Sequence, residues 1–277
     1  MTTQEREDTG PAWDKIAPGY DRSTTPTHMW LGGEGLRRAG LRKGMRFLDV
    51  AAGSGALSIP AARLGAQVLA TDQSPVMLEL LKERARKEGL NIETRVMDGH
   101  ALELEDNRFD MAGSQFGVML FPDMPKGIRE MARVVKPGGR VLISAYGDPH
   151  QIEFLAFLIG AVQSVRPDFN GPPMDPPLLE FQLADPQRLH KELCAAGLKV
   201  VEVETITESL EFTSGRALWD WLVSSNPVVE TVLGTLNLTN DERGVIKQAL
   251  ETMACERAGK SGVAKLTNPI NIGIGTK

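Results

Sequence analysis

Two cysteines, Cys194 and Cys255, are all that the 277 residues contain. They stand far apart and lack the spacing of a metal site, so each is expected to be a buried apolar filler in a reducing compartment. The four histidines, His28, His100, His150 and His190, show no H-x-x-x-H or carboxylate-paired spacing, and no metal is expected. Positive charge is also short: 31 Lys and Arg against 36 Asp and Glu give a formal net charge of -5. Without a basic cluster there is no electrostatic footprint for nucleic acid. No apolar run reaches the roughly 20 residues that cross a bilayer. The opening MTTQEREDTG is charged where a signal peptide would be apolar, so a cytoplasmic location is expected. There is no internal repeat. What remains is an ordinary globular composition, 42% hydrophobic and 24% charged, with length enough for one elaborated α/β domain.

Residues 1–12 read as a mobile tail, polar and without apolar periodicity, with order beginning near Trp13. Residues 13–149 read as a ligand-binding core, because short apolar runs alternate with helix-like segments as in βαβ units. Arg46 to Val50, Gln67 to Thr71 and Arg140 to Tyr146 are the clearest strands, with Glu93 to Met97 and Asp110 to Ser114 between them. Ser74 caps a helix with Pro75 at its first position and Gly89 at its end. The turn Lys136-Pro137-Gly138-Gly139 is expected to end a later helix and lead into the fifth strand. Residues 150–277 read as cap helices plus the last strands: helices over Ile152 to Val165, Asp185 to Gly197, Ser214 to Ser224 and Asn240 to Arg257, and strands over Lys199 to Phe212 and Val263 to Ile274. Arg166 to Leu179, with five prolines, reads as an irregular loop. The fold class is therefore α/β: a Rossmann-like, mostly parallel sheet of seven strands, helices on both faces and a helical cap.

The chemistry is expected at FLDVAAGSGALS, Phe47 to Ser58, where a strand ends in a glycine turn and enters a helix. Gly53 and Gly55 remove side chains where a ligand must approach the backbone, and the next helix presents unpaired N–H groups there. Such turns also occur for packing alone. Asp72 closes the second strand some twenty residues on, where a carboxylate can accept both hydroxyls of a ribose. Asp98, in VMDGHAL, ends the next strand on the same edge and could bond the amine of an adenine. Each acid also has a plainer reading as a solvated or capping strand-end residue.

FLDVAAGSG, ATDQSP, VMDGHAL, RFDMAGSQFGVMLFPD and MARVVKPGGRVLIS, in that order and spacing, resemble the motif series of class I S-adenosylmethionine-dependent methyltransferases, in particular their ubiquinone/menaquinone-methyltransferase-like branch. AWDKIAPGYD, Ala12 to Asp21, is similar to the N-terminal signature of that branch, so the likeness covers about Trp13 to Tyr146. The resemblance implies S-adenosylmethionine as cofactor and S-adenosylhomocysteine as product. It further implies that Asp49, Ala51, Gly53 and Gly55 line the methionine part, Asp72 with Gln73 holds the ribose, and Met77, Asp98 and Gly99 meet the adenine. Gln115 is implied at the reacting end. A nicotinamide dinucleotide is the rival cofactor, but it favours a third small glycine-like residue where Ser58 stands, and it has no use for Asp98 or the KPGG turn. Asp175-Pro176-Pro177 resembles the motif of amino-methyltransferases acting on adenine, yet lies far downstream of the fourth strand and precedes a leucine, so it reads as loop. Two cysteines are too few for an arsenite methyltransferase.

Methyl transfer from a sulfonium needs alignment and dryness more than acid–base help. Tyr20 is the candidate aromatic to face the positive sulfur, if its segment folds over the cofactor. His28 and His150 are the candidate bases for an acceptor that carries a proton. The partner is expected to be a small-molecule methyl acceptor under the cap, reached by Phe154, Phe157 or Trp219. A homodimer, and a same-fold protein that binds the cofactor for a non-methylating or regulatory purpose, are left open by the sequence.

Overall fold

In the computed structural model, which describes residues 10–172, 178–225 and 227–277, the strands form one sheet of seven. In chain order the elements are α1 (Gly10–Ala39), β1 (Arg46–Val50), α2 (Ser58–Arg63), β2 (Gln67–Asp72), α3 (Pro75–Lys87), β3 (Ile92–Val96), β4 (Phe109–Gln115), α4 (Met124–Val134) and β5 (Val135–Tyr146). The second half adds α5 (Glu153–Gln163), α6 (Pro186–Ala195), β6 (Lys199–Phe212), α7 (Gly215–Ser225), α8 (Pro227–Thr235), α9 (Asn240–Ala258) and β7 (Ala264–Thr276). The strand order is β3-β2-β1-β4-β5-β7-β6. Pairs up to β4–β5 are parallel, whereas β7 runs antiparallel to both β5 and β6.

The order reverses between β1 and β4. Right-handed crossovers then place α2 and α3 on one face and α4 on the other, opening a crevice at the carboxyl ends of those two strands. β1 and β4 are buried almost throughout, as strands covered on both faces must be. α3 starts as its sequence dictates: Ser74 Oγ accepts from Met77 N at 3.0 Å, Pro75 occupies the first turn, and Gly89 beyond the end takes φ +66°.

β7 is longer than its contact with the sheet. It pairs with β5 only from Ile270 to Thr276, while Ala264 to Pro269 pairs with β6 alone. This two-stranded ribbon leaves the sheet and carries Leu210, Phe212 and Leu266 into a second core with Phe157, Leu158, Trp219, Trp221, Leu222, Ile246 and Leu250. The cap is built on that ribbon.

Several sequence expectations are revised. Gly10 to Ala12, expected in the tail, belong to α1, a 30-residue helix with Pro18 and Pro26 inside it; residues 1–9 lie outside the described ones. Helix propensity argues against α1, but its small residues allow close approach. A Cβ on Gly32 would lie 2.5 Å from the Ala56 carbonyl oxygen, and one on Gly19 2.9 Å from Ser224, so tertiary packing overrides propensity. The KPGG turn does not end α4, which stops at Val134. It lies inside β5, as an irregularity where the β4 partner steps from Val135 opposite Phe109 to Arg140 opposite Met111. Cys194 and Cys255 are both exposed rather than buried. α8 had no counterpart in the sequence reading, and Asp175-Pro176-Pro177 lies outside the described residues. Among the described residues no helix is long and apolar enough to cross a membrane, and no group of three or more ligating side chains could hold a metal.

Candidate active site

The crevice holds a cavity of about 560 Å³. The end of β1 supplies Asp49, Ala51, Ala52 and Gly53, the end of β2 Asp72 and Gln73, α3 Met77, the segment after β3 Asp98, Gly99 and His100, and the end of β4 Gln115 and Phe116. Trp13 and Tyr20 of α1 complete it.

Each acid is held in place by the local fold. Asp72 Oδ2 accepts from Gly53 N at 2.8 Å and Oδ1 from Ser74 N at 2.9 Å. The N–H groups of the glycine turn and of the α3 cap therefore aim this carboxylate along the cavity wall, and its remaining lone pairs can accept more. Burial pushes its pKa upward, and these backbone donors oppose the rise. Asp49 is buried. Its Oδ2 accepts from Ser58 Oγ at 2.5 Å, and Oδ1 has no hydrogen-bond partner. Burial pushes its carboxyl up to about 7, the Ser58 hydroxyl holding it lower and Asp72 raising it further. Asp98 Oδ1 accepts from His100 N at 2.9 Å and meets His100 Nδ1 at 2.7 Å. The sequence reading missed this carboxylate–histidine pair, two residues apart.

The backbone at the crevice is unusual. Ala51 and Phe116 take φ +56° and +57°, a left-handed conformation that costs a non-glycine residue of order 1 kcal/mol or more. Both follow buried strands and line the cavity. Gly117 permits the arrangement, since a Cβ there would stand 2.6 Å from the Ala51 side chain. Gly53, at φ +53°, is packed by Tyr20, whose ring would lie 3.7 Å from a Cβ at that position. Gly55 does something else. It is not among the residues lining the cavity, and a Cβ there would press on Ile59 and Leu81 at 3.1 Å, so its missing side chain lets α2 and α3 pack.

Gln115 lines the cavity, its amide nitrogen donating to the His28 carbonyl at 3.0 Å while its buried Oε1 has no partner. Tyr20 lines it too. Burial and the carboxylates of Asp72, Asp49 and Glu208 hold its hydroxyl above the ordinary phenol range.

A second, apolar cavity of about 100 Å³ adjoins the first across Trp13, Tyr20, Phe116 and Leu120, which line both. Its walls include Tyr146, Phe154, Leu158 and Ile159. Phe116 stacks on Tyr146 with ring centres 4.5 Å apart, and Tyr146, Phe154 and Trp221 follow edge to face. Of the three aromatics expected near the site, Phe154 reaches this cavity, whereas Phe157 and Trp219 are buried in the cap core. His28 lines it as well. His150 does not join either cavity: it is exposed on a short turn after β5, its N–H on Asp148.

α1 is fastened to both halves. Ser74 Oγ lies 2.5 Å from Asp14 and Arg84 donates to Asp21 at 2.6 Å, on the α3 side. Ser23 meets Ser224 at 2.6 Å and Trp221 Nε1 donates to Thr27 at 3.3 Å, on the α7 side.

Residues 48–143 match a family described as a methyltransferase domain. An uncharacterized protein of Mycobacterium tuberculosis is 43% identical over 103 residues, covering 37% of this chain and 38% of that protein. The demethylmenaquinone methyltransferase of Clavibacter sepedonicus is 34% identical over 143 residues, covering 50% of this chain and 57% of that protein. The chain thus spans well under two thirds of the curated relatives it matches. Among solved structures, phosphoethanolamine N-methyltransferase 2 of Haemonchus contortus superposes with a TM-score of 0.58 at 20% identity, over 100% of this chain and 60% of that one. The matched residues 48–143 run from within β1 to within β5 and hold the glycine turn, both strand-end acids and Gln115: over them the chain is similar to a methyltransferase domain.

Proposed function

We propose that the larger cavity binds S-adenosylmethionine and that the protein transfers its methyl group to a small-molecule acceptor. The observation that carries this reading is the Asp72 carboxylate, fixed by Gly53 N and Ser74 N at the strand end where a ribose diol would be held. Asp98 would take the adenine edge and Met77 its face. The buried, unpartnered Asp49 Oδ1 and Gln115 Oε1 fit the polar amino-acid end of the same cofactor, since orphaned acceptors at a cavity wall favour a ligand that donates. Ser58, where a dinucleotide turn favours a third glycine-like residue, is buried and committed to Asp49, which favours this reading over a dinucleotide.

When bound, S-adenosylmethionine supplies an electrophilic methyl group on a positively charged sulfur. Tyr20, wedged on Gly53 from α1, would present an aromatic ring to that charge. α1 and the aromatic wall of the second cavity exclude water from the junction of the two spaces, which favours a small, partly apolar acceptor. A cytoplasmic site of action and a homodimer remain compatible with this reading.

Calorimetric titration with S-adenosylmethionine, S-adenosylhomocysteine and NAD tests the cofactor. The first two are expected to bind and NAD is not. Asp72→Ala is expected to weaken both by about tenfold to a hundredfold, from the loss of charge-assisted hydrogen bonds. Binding of NAD alone would overturn the reading. Cofactor binding without S-adenosylhomocysteine formation, across a broad acceptor panel, would favour the non-methylating alternative.

A further inference from the structure

The apolar cavity contains one polar assembly that the cofactor does not use. His28, on α1, is buried and lines the cavity, and neither ring nitrogen has a hydrogen-bond partner. Its Nε2 lies 3.6 Å from Glu208 Oε1 on β6, just beyond hydrogen-bond length. Glu208 is itself buried and stands opposite the buried Asn268 of β7 in the ladder. Phe116 and Trp221 pack on the imidazole at 4.9 and 6.0 Å.

Buried polar side chains left without partners are uncommon, and the usual resolution is a ligand or water. The rest of the wall is apolar and aromatic, apart from Tyr20, Tyr146 and Glu180. Burial, before any nearby charge, holds both tyrosines protonated, so neither is a proton acceptor. A free imidazole with a carboxyl group behind it is the arrangement that takes a proton from a bound hydroxyl and stabilises the cation formed.

We propose that this second cavity is the acceptor site and takes a flat, apolar ring bearing a hydroxyl group, whose proton passes to His28 while Glu208 positions the imidazole and, once ionised, balances its charge. The proposal rests on the assignment of the larger cavity to S-adenosylmethionine. The hydroxyl oxygen forms the new bond to the methyl carbon, the carbon–sulfur bond breaks with its electron pair remaining on sulfur, and the hydroxyl proton goes to the imidazole. The sulfonium charge is thereby exchanged for an imidazolium charge, and the products are a methyl ether and a neutral thioether.

Burial acts oppositely on the two groups. It lowers His28 to about 4 and raises Glu208 to about 8, so near neutral pH the imidazole is uncharged and Glu208 holds a proton. Above pH 8 the carboxylate appears and strengthens His28 as a base. The groups meeting His28 are Glu208 from β6, Gln115 of β4 at its carbonyl, Phe116 just after β4 and Trp221 from α7; of these only Glu208 titrates. Tyr20, Tyr146 and Glu180 face the same cavity.

The test uses 4-ethylphenol, ethylbenzene and phenethylamine as probes, titrated calorimetrically into the full chain saturated with S-adenosylhomocysteine. 4-Ethylphenol is expected to bind at least tenfold more tightly than either of the others, and to bind more tightly at pH 8.5 than at pH 7. His28→Phe should remove the hydroxyl preference while leaving ethylbenzene within about threefold. Glu208→Gln should keep the preference and abolish its pH dependence. A hydroxyl preference that survives His28→Phe, a pH dependence that survives Glu208→Gln, tighter binding of phenethylamine, or no binding of any ring would each overturn the proposal. Failure of S-adenosylhomocysteine to bind instead strikes the cofactor reading, and the probes are then titrated into the chain alone, with the same outcomes deciding the cavity.

Discussion

The two cavities share four side chains and almost nothing else in their construction. The larger is assembled from the ends of β1, β2 and β4 and the segment after β3, all between Asp49 and Asp123 apart from two residues of α1 and Leu179, and its strand-end acids Asp72 and Asp98 are pinned by backbone N–H donors a few residues or one strand away. The smaller draws on α1, the end of β5, α5 and α8, with Glu208 and Asn268 behind it on the ribbon. Neither ring nitrogen of its His28 has a hydrogen-bond partner. A site built from strand ends is fixed by the sheet, and its chemistry can be aimed precisely by hydrogen bonds; a site built from packed helices is fixed by side-chain volume, and a polar group there stands out by being unsatisfied.

The contrast can be broken or sharpened by four further measurements. The largest effect is expected from Trp221→Ala, which removes the ring joining Phe154, Phe212 and His28. Urea unfolding should show a loss of about 3–5 kcal/mol, with S-adenosylmethionine affinity of the folded variant within about threefold of wild type. A much larger loss of cofactor affinity would mean that the two cavities are not separately built.

Glu208→Gln should come next, with the opposite sign. Because burial raises Glu208 to about 8, the folded chain retains a proton that the unfolded chain has released between about pH 4.5 and 8. Stability contributed by this group therefore falls as pH rises across that window. His28, lowered to about 4, acts the other way, but only up to about pH 6.5. The glutamine variant is expected to be more stable than wild type at pH 8 by about 2–4 kcal/mol, and equal stability at that pH would show that Glu208 is solvated.

Asp72→Ala, about 1.5–3 kcal/mol in cofactor binding, should leave 4-ethylphenol affinity unchanged, which separates the polar site from the apolar one. The smallest effect is expected from Ser58→Ala. Asp49 is held at about 7 partly by the Ser58 hydroxyl, and a cationic ligand should bind more tightly as Asp49 ionises. Removing the hydroxyl should move that rise in affinity to higher pH, at a cost of about 1 kcal/mol in cofactor binding near neutrality.

How much was legible in the sequence follows the same division. β1 and β6 fall on the residues expected, and Asp72, Asp98, Met77 and Gln115, which the resemblance implied, line the larger cavity, because strand ends and the turns after them are encoded within a few residues. Gly55, implied by the resemblance to face the ligand, also lets α2 and α3 pack closely, a second purpose that a glycine turn does not reveal in sequence. His150 follows the fifth strand at the right edge, but a short turn carries it into solvent. α1 was unreadable because prolines and glycines break its pattern, and only contact with α2, α3 and α7 makes a helix of it. Glu208 and Asn268 were overlooked despite a usable signal. Glu208 is in phase with the inward Leu210 and Phe212, and Asn268 with Leu266 and Ile270, so strict alternation would have marked both as polar groups facing a core.

The ribbon formed by β6 and the first half of β7 has a mechanical consequence. From Ala264 to Pro269 the ladder is only two strands wide, and a two-stranded ribbon is more strongly twisted than the sheet it grows from. The cap helices α5, α7 and α9 rest on that narrow part, while Glu208 and Asn268 sit just beyond the point where it leaves β5. The twist of the ribbon at its root therefore sets the angle at which the cap meets the sheet, and with it the 3.6 Å approach of Glu208 to His28.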